Sequence, residues 1–124
     1  MQTEKVIDHI VNWLKDYATN ARMTGFVVGV SGGIDSAATS SLCARTGLPT
    51  LCVEMPIHQP ESHVTRAQEH IAQLKKRFAN VSSVRVDLTE SFETLKDAFP
   101  GASQSGELEL TLANTRARLR MSTL

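Results

Sequence analysis

Apolar positions along this chain recur at two spacings, every three to four residues and in short continuous or alternating runs, and the two take turns. Residues 3–21 place Val6, Ile7, Ile10, Leu14, Tyr17 and Ala21 on one face of a helix, with Thr3 suited to its N-cap. Residues 25–31 form a run centred on Phe26-Val27-Val28, the mark of a parallel strand covered on both faces. A helical pattern through Leu42 and Cys43 then runs to Arg45 and stops at Gly47, a residue suited to a left-handed cap. Leu51 to Met55 give a second strand over 50–55, closed by Pro56. A helix over 60–79 has Pro60 in its first turn and Val64, Ala67, Ile71, Leu74 and Phe78 on one face. Val84, Val86 and Leu88 alternate with Arg85 and Asp87 in a strand over 83–88. Phe92, Leu95 and Phe99 mark a helix over 90–99 that Pro100-Gly101 ends, and 102–106 reads as a polar loop.

Strands and helices in this order predict an α/β fold: a parallel, Rossmann-like sheet in a three-layer sandwich. Ligands in such sheets bind outside the carboxyl ends of the strands, where residues 31–36 and 54–58 both fall.

The last helix, 107–124, has two apolar stripes when wound at about 100° per residue. Leu108, Leu112, Thr115 and Leu119 form one, and Leu110, Ala113, Ala117, Met121 and Leu124 the other. Glu109, Arg116 and Arg120 share one gap between them, expected to be a solvated face. Thr111, Asn114 and Arg118 share the other, expected to be partly buried. A buried arginine needs an acceptor, either an internal carboxylate or an anionic substrate.

Composition narrows the partners. Thirteen basic and thirteen acidic residues in 124 leave no bulk charge to draw nucleic acid or a membrane surface. No apolar run spans a bilayer, and the first residues do not read as a signal peptide. Cys43 and Cys52 read as core residues of a reducing, cytoplasmic compartment. None of His9, His58, His63 and His70 has the helical spacing of a zinc pair, and Glu54 and Asp87 at strand ends are as suited to capping as to catalysis.

Residues 29–36, Gly29-Val30-Ser31-Gly32-Gly33-Ile34-Asp35-Ser36, carry the chemistry. A glycine-rich turn from strand to helix gathers backbone N–H groups at the positive end of a helix dipole, which is an anion site. Ser31 and Ser36 add hydroxyl donors, and Asp35 stands where a metal-bound phosphate needs a carboxylate. No Gly-Lys-Ser/Thr follows, and the glycine spacing is not that of dinucleotide folds. A lysine-free loop suits a group that leaves already charged and metal-bound, such as pyrophosphate.

Ser31-Gly32-Gly33-Ile34-Asp35-Ser36 resembles the pyrophosphate loop of the ATP pyrophosphatase superfamily, and Asn114-Thr115-Arg116-Ala117-Arg118-Leu119-Arg120-Met121 resembles the N-x-(K/R)-A-R-x-R-M helix of ammonia-dependent NAD synthetases. The resemblance implies that ATP adenylates the nicotinate carboxylate of deamido-NAD, that pyrophosphate leaves, and that ammonia then displaces AMP. It implies ATP contacts from residues 29–36, Mg²⁺ on Asp35, deamido-NAD on Arg118, and a homodimer with substrate at the interface. No side chain reads as a nucleophile or base. The family continues well past this helix with a second magnesium-ligating glutamate, so the chain reads as the N-terminal half of the domain, inactive alone. Glu54 replaces a basic residue that some members carry. Another synthetase of the superfamily, of the GMP synthetase or tRNA-modifying kind, and a non-catalytic nucleotide-binding or dimerisation module are the alternatives.

Overall fold

Three short segments pair side by side in a computed structural model that describes residues 2–98 and 106–124, the side chains of 106–108 excepted. They are β1 (Phe26–Gly29), β2 (Thr50–Glu54) and β3 (Val81–Arg85), parallel throughout and ordered β1-β2-β3. The helices between them, α2 (Ile34–Arg45) and α3 (Glu61–Arg77), lie on one face of the sheet, as right-handed crossovers proceeding in one direction require. Alternation along β2 divides the core. Cys52 points with Val30 into the layer formed by Ala44, Ala67, Ile71 and Leu74. Val53, with Leu51 beside it, points to the opposite face, against Met55, Ile57, Leu88, Phe92 and Leu112. That second face is covered by α4 (Thr89–Asp97) and α5 (Gly106–Thr123), while α1 (Thr3–Asn20) packs outside α2. The result is the expected α/β sandwich. Burying Ile71 and Leu74 contributes roughly 1.5–3 kcal/mol each.

Several local expectations shift. Thr3 is the first residue of α1 rather than its cap, and Gln2 in the cap position makes no side-chain cap bond. The inward row of α1 is half-buried Ile7, Ile10, Val11 and Leu14 with buried Ala18, because the helix turns toward α2; Val6 and Tyr17 are exposed, and Tyr17 stacks on Trp13 with ring centroids 5.2 Å apart. Val28 is buried but Val27 is exposed, so among the described residues β1 is covered on only one face at that point. Strand β3 begins two residues earlier than its apolar alternation suggests. Asn80 sets the register: its Nδ2 donates to Ala44 O and Leu48 O at 2.9 and 2.8 Å, and its carbonyl accepts Thr50 N–H at 2.9 Å. Val86 and Leu88 follow outside the strand, their N–H groups donating to Glu54 O and Pro56 O.

Gly47 has φ +80 just beyond α2, the left-handed cap expected of it. Pro60 occupies the N-cap of α3 rather than its first turn. The helix end expected at Phe99 and Pro100-Gly101, the loop at 102–105 and the side chain of Leu108 lie outside the described residues. No described helix is long and apolar enough to cross a membrane.

Candidate functional site

Strand β1 delivers the chain to the carboxyl edge of the sheet, and residues 29–36 turn there into α2. Val30 closes the strand's pairing, donating to Val53 O at 2.9 Å, and its side chain is core, so it offers a ligand only backbone. The turn is held by its own hydroxyls. Ser31 N–H donates to Ser36 Oγ at 3.1 Å, Ser36 Oγ donates to Gly33 O at 3.2 Å, and the two serine oxygens lie 3.3 Å apart. Gly33 N–H reaches Ser31 Oγ at 3.4 Å.

Gly32 makes the turn possible in two ways. Its φ of +87 is the left-handed conformation, and a Cβ there would stand 2.5 Å from His63 O in the first turn of α3. The loop therefore rests against a second helix as well as launching its own. The first bond of α2 is Ala37 N–H to Gly33 O at 3.2 Å, so the N–H groups of Ile34, Asp35 and Ser36 precede the helical ladder and stay available at its positive end. Ile34 is 84% exposed and Asp35 is exposed beside it. No described residue hydrogen-bonds the Asp35 carboxylate, and no described group of three or more histidine, cysteine or acidic residues is placed to hold a metal. A single carboxylate next to phosphate donors matches how Mg²⁺ is usually held, by one or two carboxylates with phosphate and water oxygens. Asp35 therefore fits that ion as one ligand among several.

The three arginines of α5 exchange the positions expected of them. Arg118 is exposed with Thr111 and Asn114, and borders a shallow hollow of about 300 Å³ with Leu95, Thr115, Leu119 and Ser122. No described carboxylate pairs with it. Arg120 is half-buried. Its Nε donates to Met55 O at 3.0 Å, and it closes a cavity of about 110 Å³ whose other walls are Gly29, Val30, Ser31, Met55 and Gln59. Burial, with Arg116 nearby, pushes its guanidinium below the usual arginine range. Arg116 is half-buried and lies over the Phe92 ring, 5.3 Å from its centroid. The sheet thus brings residues 29–36 together with Arg120, and leaves Arg118 on another side of the same helix. Nothing in the hydrophobic pattern singled out Arg120.

Asp87, His58 and His70 have structural partners. Asp87 Oδ1 accepts Thr89 N–H at 2.9 Å at the start of α4, and these Thr89 hydrogen bonds hold its carboxyl below the ordinary range. His58 pairs with Glu93 at 2.6 Å, and His70 Nε2 lies 2.8 Å from Ser40 Oγ. Glu54 Oε1 is buried without a partner, next to a void of about 10 Å³ that Arg85 also lines, room for about one water. Cys43 and Cys52 are buried, unbridged thiols, and burial raises both.

The NAD synthase family model matches residues 6–124. The NH(3)-dependent NAD(+) synthetase of Mesoplasma florum is 35% identical over 126 residues, covering 100% of this chain and 49% of the relative. That of Finegoldia magna is 32% identical, covering 100% and 48%. Among solved structures, the NMN synthetase of Francisella tularensis superimposes with a TM-score of 0.86 at 31% identity, covering 100% of this chain and 49% of the other. The NH3-dependent NAD synthetase of Campylobacter jejuni shares the fold, with a TM-score of 0.83 at 24% identity and coverage of 100% and 51%. The chain spans about half the length of these relatives. The family-model match spans both the glycine- and serine-rich loop and the arginine-rich helix, and the chain belongs to the NAD synthase family.

Proposed function

We propose that this chain forms the ATP-binding, N-terminal half of an NAD synthetase domain that converts deamido-NAD to NAD with ammonia as nitrogen donor. The observation that carries the reading is the loop at the carboxyl end of β1, where backbone N–H groups and two serine hydroxyls converge beside an unengaged carboxylate. In the reaction the nicotinate carboxylate attacks the α-phosphorus of ATP and the bond to pyrophosphate breaks. Ammonia then attacks the acyl carbon, the C–N bond forms, AMP leaves and a proton is lost.

This chain's residues serve the first step. Ser31, Gly32, Gly33 and Ser36 hold the pyrophosphate while charge builds on it, as preorganised donors do for any developing anion. Gly29, Val30 and Ile34 contribute backbone. Asp35 is the residue that holds Mg²⁺, and the bound ion supplies charge neutralisation to the departing group. Arg118 binds deamido-NAD at an interface between two copies of the chain. The small-molecule substrates and the two unbridged thiols suit the cytoplasm. Catalysis here rests on positioning and electrostatics rather than on a nucleophile.

In the full-length protein, Asp35→Ala is expected to lower NAD formation by about 100-fold or more at saturating magnesium while leaving the fold intact. Near-normal turnover would remove Asp35 from the metal site. The residues 1–124 alone are expected to form no measurable NAD, and detectable ammonia-dependent synthesis would show that the matched half suffices. A second reading has its own support, because the Francisella tularensis structure at 31% identity is described as an NMN synthetase. On that reading the acceptor is nicotinate mononucleotide. Comparing kcat/KM for the mononucleotide and the dinucleotide decides between them.

A further inference from the structure

The carbonyls of β2 alternate between its two neighbours. On the β1 side, Pro49 O accepts Phe26 N–H and Val53 O accepts Val30 N–H, both at 2.9 Å. On the β3 side, Glu54 O and Pro56 O accept Val86 and Leu88 N–H at 2.8 and 3.0 Å. Met55 O is therefore the next acceptor facing β1, and in an uninterrupted ladder its donor would be Gly32 N–H. Gly32 has left that line, with φ +87 and its Cα against His63 O of α3. Arg120 Nε occupies the vacated donor position, 3.0 Å from Met55 O.

We propose that Arg120 is the positioning residue of the loop: a side chain from α5 that completes the β1–β2 ladder where the backbone departs, and so keeps the two strand ends splayed. Without that donor, Met55 O faces the loop unpaired, the contact that ties α5 to the strand end is lost, and the cavity that Ser31, Gln59 and Arg120 line loses its fixed shape. Arg120 acts through the loop and not on the reacting atoms. That the loop holds a nucleotide rests on the function proposed above; that Arg120 fixes the loop does not.

The chemistry of the contact separates hydrogen bond from charge. The donor is Nε, the atom bonded to Cδ. Glutamine carries its amide nitrogen on the same carbon, so Arg120→Gln keeps a donor there and discards the charge. Lysine has a methylene at that place, so Arg120→Lys keeps the charge and discards the donor. Arg120→Met discards both. In the full-length protein without nucleotide, hydrogen exchange of the segment 29–36 is expected to quicken about tenfold in the lysine and methionine variants, the factor for one hydrogen bond, and to stay near wild type in the glutamine variant. The dissociation constant for ATP is expected to follow the same order. Equal exchange in all four proteins, or protection by lysine and not by glutamine, overturns the proposal. If the exchange order holds but the wild-type protein does not bind ATP, the nucleotide reading falls and the role of Arg120 stands.

Discussion

Gly32 meets two demands that no other residue meets together: a left-handed backbone, and contact with a helix carbonyl that leaves no space for a methyl group. Gly32→Ala is expected to cost about 1–3 kcal/mol in urea unfolding, from the strained φ and from the displaced turn of α3. A change below a few tenths would mean that the loop relaxes off α3 freely. His70 is a second point of contact behind the loop. Ser40, fully buried, donates to Ser36 O at 2.7 Å, so its oxygen is the acceptor for the His70 Nε2–H at 2.8 Å. Burial lowers the His70 pKa below its ordinary 6.5, which means the unfolded chain takes up the proton first. The sign follows: this contribution to stability is complete above about 6.5 and is lost as pH falls from there through the lower native value. His70→Gln is expected to flatten the stability–pH slope below about 6.5, measured by urea unfolding. An unchanged slope would assign the acid sensitivity to another group.

Among the elements, α5 shows why some features were legible in the sequence and others were not. The loop was legible because its chemistry demands special residues, and five of them stand within the six positions 31–36. The strands were legible as apolar runs, except that Ser82 and Ser83 hid the start of β3; its register is set by Asn80, a polar residue whose bonds reach α2 and the loop after it. A helix with two apolar stripes has no single inward face, so either polar gap could turn to the sheet. Only the tertiary positions of Phe92 and Met55 decide that Arg116 and Arg120 turn inward while Arg118 faces out. The stripe that packs is identified by Leu112, 2% exposed, and by half-buried Leu119. Leu112→Ala is expected to destabilise by about 2–5 kcal/mol, whereas Leu110→Ala should change monomer stability by no more than about 0.5 kcal/mol. Equal losses at both positions would show that the second stripe is also core.

For the whole molecule, that second stripe bears on assembly. Leu110, Met121 and Leu124 are 68%, 70% and 52% exposed, and Ala113 and Ala117 lie exposed between them. So much apolar surface on one helix calls for a cover. Sequence that the relatives carry beyond the matched half is one candidate, and a second copy of the chain is the other. We favour the copy. Ala113 and Ala117, one turn apart, allow two helices to cross closely about a two-fold axis, and Arg118 beside them would then face a substrate shared between subunits. In the full-length protein, Ala117→Glu is expected to yield monomers in sedimentation analysis, because two buried carboxylates would meet near the axis. It should weaken deamido-NAD binding by about tenfold or more while changing ATP binding little, since the loop lies on a different side of α5 from Arg118. Cover from within the same chain makes a different prediction: lower unfolding stability with association unchanged. A dimer that survives Ala117→Glu would move the interface elsewhere and leave Arg118 without a shared site.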